Sequence, residues 1–153
     1  MTEIRKPRLN EMTEIKKLLD RAADAGAVLP RPIMELYETA RDFHVCAGEQ
    51  GIEGCCALHI DTEALAEIRS LVVRTDLRCK GIGSQLLDAC IEEARELAIG
   101  RVYALTRAVA FFVKHGFHEV DKHTLPHKVF QDCLRCPLFP DCDEVAVVKD
   151  LDG

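Results

Sequence analysis

Two short stretches of this 153-residue chain hold side chains of the right type and spacing to do chemistry. In Arg78-Cys79-Lys80-Gly81-Ile82-Gly83, two cations stand beside two glycines that would let the backbone approach a ligand closely. A helix starting there points its first N–H groups outward, and phosphate suits such a place. Gly-x-Gly alone also fits an ordinary strand-to-helix turn. The second stretch is Ala64–Val73, an apolar run interrupted by Glu67 and Arg69. A carboxylate there could take a proton from a reacting amine, or it could simply pair with its neighbour on a sheet face. A third pattern, Cys133-x2-Cys136-x5-Cys142 with His127 nearby, has the ligand types of a structural zinc site but not a standard spacing. Reduced thiols packing a loop are the preferred reading, with zinc as the alternative.

The elements that must position these groups follow from periodicity. Ile82, Leu86, Leu87, Cys90, Ile91, Ala94 and Leu97 recur at helical spacing, with Gly100 as the stop. Before them, Leu65, Glu67, Arg69, Leu71 and Val73 alternate with Ala66, Ile68, Ser70 and Val72, which predicts a strand with Glu67, Arg69, Leu71 and Val73 on one face. Upstream, the pattern predicts a short strand at Ile4–Leu9 and a helix capped by Asn10 and running to about Ala25. After the stiff Leu29-Pro30-Arg31-Pro32 connector comes a second helix, Ile33 to about Arg41. Phe43–Ala47 and Ile52–Ile60 read as a hairpin around the turn at 48–51. Downstream come a strand at Arg101–Thr106, a helix from about Val109 to His115, a strand near Phe117–Asp121, a Pro- and Cys-rich loop at about 124–143 and a last strand at Glu144–Val148. Strands cluster first and helices alternate with them later, so the class is α+β, a mixed sheet flanked by helices.

The length fits one domain over 1–153 that builds its core without disulfide or metal. Net charge is -6. That argues against a nucleic-acid footprint and leaves any basic site local. No run is apolar over the roughly 20 residues a membrane helix needs, and no secretory signal pattern opens the sequence. The expected compartment is cytoplasmic, where Cys46, Cys55, Cys56, Cys79 and Cys90 read as small buried thiols.

The apolar strand, the Arg-x-x-Gly-x-Gly string and the helix together resemble the acetyl-CoA-binding motif of the GNAT N-acetyltransferase superfamily. Ala108-Val-Ala-Phe-Phe-Val-Lys-His-Gly-Phe117 resembles that superfamily's later helix and strand. The resemblance implies the GNAT acyl-CoA N-acyltransferase fold, whose sheet splays beside the strand ending at Val73. Acetyl-CoA would enter the splay, its pantetheine on Leu71, Val72 and Val73 and its diphosphate on Arg78, Cys79, Lys80, Gly81, Ile82, Gly83 and Ser84. It implies Glu67 as general base and a backbone N–H near Val73 as the group polarising the thioester. Phe112 stands beside the cofactor, where many members carry a tyrosine acid.

Ala66–Val73, Leu125-Pro-His-Lys128 and Asp132–Glu144 resemble the short, stand-alone bacterial N-acetylglutamate synthases. That implies L-glutamate as acceptor and the first step of arginine biosynthesis. Each glutamate carboxylate favours a cation, and Arg69 and Lys128 are the preferred candidates, with Arg31 on its stiff connector and Arg107 also available. Two alternatives stay open: a GNAT enzyme for another small amine or a protein N-terminus, and a non-catalytic acetyl-CoA sensor. A homodimer is the superfamily prior.

Overall fold

A computed structural model describes residues 2–26, 28, 30–78, 80–125 and 144–151. Among them, seven strands form one sheet: β1 (Glu3–Arg5), β2 (Phe43–Gly48), β3 (Gly51–Thr62), β4 (Leu65–Val73), β5 (Arg101–Thr106), β6 (His118–Val120) and β7 (Val145–Asp150). Their spatial order is β1-β2-β3-β4-β5-β7-β6, and every neighbouring pair is antiparallel except β4–β5. The sheet is therefore mixed, and the sequence class is observed.

Among the described residues, four α-helices cover the two faces. On one face lie α1 (Met12–Asp24) and α2 (Ile33–Glu38), which pack with Phe43, Val45, Cys55 and Val72. On the other lie α3 (Ile82–Glu96) and α4 (Val109–Lys114), packed with Cys56, Leu58, Ala66, Ile68 and Val102. α3 buries Ile82, Leu86, Leu87, Cys90, Ile91 and Ala94, the stripe its periodicity predicts. Each isoleucine or leucine of that stripe contributes roughly 1.5–3 kcal/mol through burial. No described helix is long and apolar enough to cross a membrane.

Three local expectations are corrected. Asn10 does not cap α1: residues Leu9–Glu11 form a 3-10 turn, and Glu11 accepts from the Arg8 backbone N–H at 2.7 Å. Arg5 holds that carboxyl down at about 2. The second helix stops at Glu38, where the Thr39 hydroxyl bonds the Glu35 carbonyl at 2.9 Å, and a 3-10 turn at Ala40–Asp42 follows. The hairpin turn holds two residues, because Gly48 pairs with Gly51, whose φ is 97°.

The fourth correction matters for the site. β4 does not alternate throughout, because Ser70 takes a φ of 57° and the register against β3 shifts between Cys55↔Val72 and Ala57↔Arg69. Two residues, 70 and 71, thus stand against one on β3, which is a β-bulge. Parity reverses there. Leu71 and Val73 pack on the α3 face with Ala66 and Ile68, while Val72 joins the α1 face. Leu71 and Val73 therefore do not share a face with Glu67 and Arg69.

Beside the bulge the sheet opens. β4 and β5 pair at Leu65↔Arg101, Ala66↔Val102 and Glu67↔Tyr103. β4 continues to Val73 and β5 to Thr106 beyond that last pair, and the gap between them is a cleft with backbone on both walls.

Candidate active site

Glu67 stands where the parallel ladder ends, and its neighbours across the sheet are His59 on β3 and Tyr103 on β5. Directly paired residues project to one face, so all three side chains share the α1–α2 side. The Glu67 side chain is 16% exposed and lies 3.6 Å from the Arg69 guanidinium. Burial pushes its carboxyl up to about 7; Arg69 opposes that rise, Asp61 adds to it, and Arg31 and His59 oppose it. A carboxyl in this range is half ionised near neutral pH, which suits a group that must take and release a proton each turnover.

Around it stands a shell of paired polar groups. His59 Nδ1 lies 2.9 Å from Asp42 Oδ2, and the Tyr103 hydroxyl donates to Asp61 from an otherwise buried ring. Arg31, on the stretch before α2, pairs with Glu35 one turn into the helix at 2.8 Å. Arg31, Glu35, Thr39, Asp42, Arg69 and Ser70 line a small pocket. Arg31 and Arg69 thus stand together at one pocket, and Arg69 links it to Glu67 through their 3.6 Å pair.

The other end of the cleft is built from backbone. Gly81 is the N-cap of α3 with φ of 82°, a left-handed conformation that glycine alone adopts freely. The Gln85 N–H returns to the Gly81 carbonyl at 3.1 Å, so the N–H groups of Ile82, Gly83 and Ser84 precede the helix's own bonding. Arg78 and Lys80 are both exposed, and neither is in an ion pair among the described residues. Positive charge, open N–H groups and a glycine turn fit a diphosphate. The Ser84 hydroxyl is turned toward α4, 3.0 Å from His115 Nε2.

Phe112 lies in the main core, 4% exposed and edge-on to Phe117 and Phe111. It has little surface to offer a ligand. Lys128, Cys79, His127, Cys133, Cys136 and Cys142 lie outside the described residues. Among the described ones no group of three or more His, Cys, Asp or Glu could hold a metal.

The residues that sequence reasoning missed are His59, Asp42, Asp61 and the bulge at Ser70. His59 and Asp61 are polar residues alternating at the end of an apolar strand, two residues from a tight turn. Strict pairing back from Thr62 opposite Leu65 would have set Ile60 against Glu67; the register shift between Ile60 and Thr62 puts His59 there instead, and no local signal marks it.

A profile of the GNAT acetyltransferase family matches residues 12–117. The chain is 37% identical to an uncharacterized N-acetyltransferase of Chlorobaculum tepidum, over 98% of this chain and 97% of that one. It is 32% identical to an amino-acid acetyltransferase of Mycobacterium tuberculosis, covering 86% of this chain and 77% of the relative. Among solved structures, a Mycobacterium tuberculosis protein in complex with CoA and NLQ superposes with a TM-score of 0.86 at 27% identity, over 98% of this chain and 99% of that one. An N-acetylglutamate synthase from Neisseria gonorrhoeae, complexed with coenzyme A and N-acetyl-glutamate, gives 0.91 at 24% identity. This chain covers only 36% of that larger protein, and the likeness is one of fold.

Proposed function

Because the chain belongs to the GNAT acetyltransferase family, we propose that it moves an acetyl group from acetyl-CoA to the α-amine of L-glutamate, the step that opens arginine biosynthesis. The observation that carries this reading is Glu67: a half-buried carboxyl with its pKa near 7, at the end of the cleft where the β4–β5 ladder stops, with Arg69 and Arg31 at the adjoining pocket. The complexes of its structural relatives with CoA support the cosubstrate, and the amino-acid acetyltransferases among its sequence relatives support the acceptor class.

In this reading the turn at 78–84 holds the diphosphate through N–H groups and the cations Arg78 and Lys80, and the backbone of Leu71–Val73 guides the pantetheine. Acetyl-CoA supplies an acyl carbon on a good leaving group. Glu67, ionised above about pH 7, takes a proton from the substrate ammonium directly or through water, leaving a lone pair on nitrogen. The new C–N bond forms as the C–S bond breaks, the nitrogen passes its second proton through water to the departing sulfur, and CoA, whose thiolate is a weak base, leaves as its thiol without a dedicated acid. Phe112 has no proton to give it. Arg69 and Arg31 hold the two carboxylates of the acceptor, each exchanging part of its pairing with Glu67 or Glu35 for the substrate. Lys128 is a third candidate cation for the same purpose.

A second reading, an acceptor that is another small amine, is favoured by the acids at the same place. Asp42 and Glu35 line the pocket and Asp61 stands near Glu67, which would suit a cation. Release of CoA measured across the proteinogenic amino acids and a set of polyamines separates the two. Glutamate is expected to give the highest kcat/KM, and a polyamine ahead of every amino acid would overturn the assignment.

A further inference from the structure

The cofactor stretch reaches the cleft because β4 changes parity at Ser70, a residue without glycine's freedom whose φ is 57°. Such a conformation is strained and persists only where neighbours over-determine it. One neighbour is Cys55 on β3. Its thiol donates to the Ser70 carbonyl at 3.3 Å, its side chain is fully buried, and it stands opposite Val72, just past the bulge. Burial, with Cys90 adding to it, pushes the Cys55 thiol up to about 12, so the S–H persists as a donor at physiological pH. Ser70 is at once part of the acceptor pocket wall, beside Arg69, and the residue that turns Leu71–Val73 toward the cleft. A single contact therefore ties one wall of the acceptor pocket to the cofactor rail.

We propose that Cys55 is a positioning residue for acetyl transfer: its S–H···O bond to Ser70 fixes the bulge that sets the acceptor pocket against the strand end guiding the cofactor. The proposal rests on the acetyltransferase reading above. An S–H···O bond is weak in itself, so the effect is geometric.

The test compares the parent with Cys55→Ala and Cys55→Ser by amide hydrogen exchange and by steady-state kinetics. In Cys55→Ala, exchange at residues 70–73 should rise about tenfold while Leu65–Ile68 hold, since only the bulge loses its tie. The same variant should lose roughly ten- to a hundred-fold in kcat with CoA affinity within about twofold of the parent, as expected of a misplacement on the ångström scale. Cys55→Ser, whose hydroxyl can donate to the same carbonyl, should recover much of both. Cys55→Val, one heavy atom larger and also without the donor, replaces the alanine variant if that one fails to fold. Unchanged exchange at 70–73, or equal losses of kcat in the alanine and serine variants, overturns the proposal. If the parent acetylates no amine at all, the functional reading fails by itself and the exchange pattern alone decides whether Cys55 holds the bulge.

Discussion

The two ends of the cleft are made of different material. At the start of α3, binding power lies in backbone N–H groups, a left-handed glycine and cations outside any ion pair among the described residues. At Glu67 it lies in side chains that are half-buried and already committed to one another: Arg69 to Glu67, Arg31 to Glu35, His59 to Asp42 and Tyr103 to Asp61. A backbone site reads the shape and charge common to every CoA thioester, whereas a desolvated cluster of charges can distinguish one acceptor from another and tune a proton. The difference teaches where variants should separate cofactor binding from catalysis.

The largest separation is expected at Glu67. Glu67→Gln should lower kcat at pH 7 by about 10²- to 10⁴-fold, the usual worth of a general base, with CoA affinity unchanged in a titration. A comparable fall in CoA affinity would mean that the two ends are not distinct. The same variant should fold more stably than the parent in mild alkali. Burial raises the Glu67 pKa from 4.5 to about 7, so the folded state is favoured while the group is protonated and loses that advantage as pH rises through 7. The gain in Glu67→Gln should approach about 3 kcal/mol at pH 8 and vanish below pH 4.5, checked by urea unfolding at both pH values.

Arg69→Ala comes next, with a loss of glutamate binding of about 1.5–3 kcal/mol, ten- to a hundred-fold in KM. Glutamine, with one carboxylate fewer, should lose much less if Arg69 serves the side-chain carboxylate. Equal losses would mean that it does not read that group.

Smaller effects are expected at the backbone end. A valine at Gly81 must hold a φ of 82°, and strain of about 1–3 kcal/mol should draw the turn away and weaken CoA roughly tenfold with kcat little altered. At Gly83 a Cβ would meet Phe111 and Val73 at 3.7 Å, an ordinary contact. Gly83→Ala should therefore stabilise α3 by about 0.5–1 kcal/mol through helix propensity. If it weakens CoA as much as Gly81→Val does, the ligand lies against the Gly83 Cα and the turn is tighter around it than its free form suggests.

The same contrast governs how much was legible in the sequence. The α3 stripe from Ile82 to Ala94 and the glycine at its start are local signals, since periodicity and left-handed freedom are properties of the chain itself. The strand Arg101–Thr106 was equally plain. Ser70 was not, because serine carries no mark of a positive φ; strict alternation through Val73 followed from not seeing it. His59 and Asp42 were hidden for a different reason. Their meeting depends on the register of one hairpin and on a 3-10 turn that replaces the end of α2, and neither residue looks unusual in its own stretch.

The central claim is that Glu67 takes the acceptor's proton, and the pH dependence of kcat/KM for glutamate in the parent and in Glu67→Gln tests it most directly. The parent should rise through an acidic limb centred near pH 7, where Glu67 ionises, and reach a plateau that the amine's own ionisation modifies only in alkali. Glu67→Gln should lack the limb near 7 and climb steadily toward high pH as the substrate loses its proton unaided. A variant that keeps the parent's limb near pH 7 would contradict the account and assign the proton to another group.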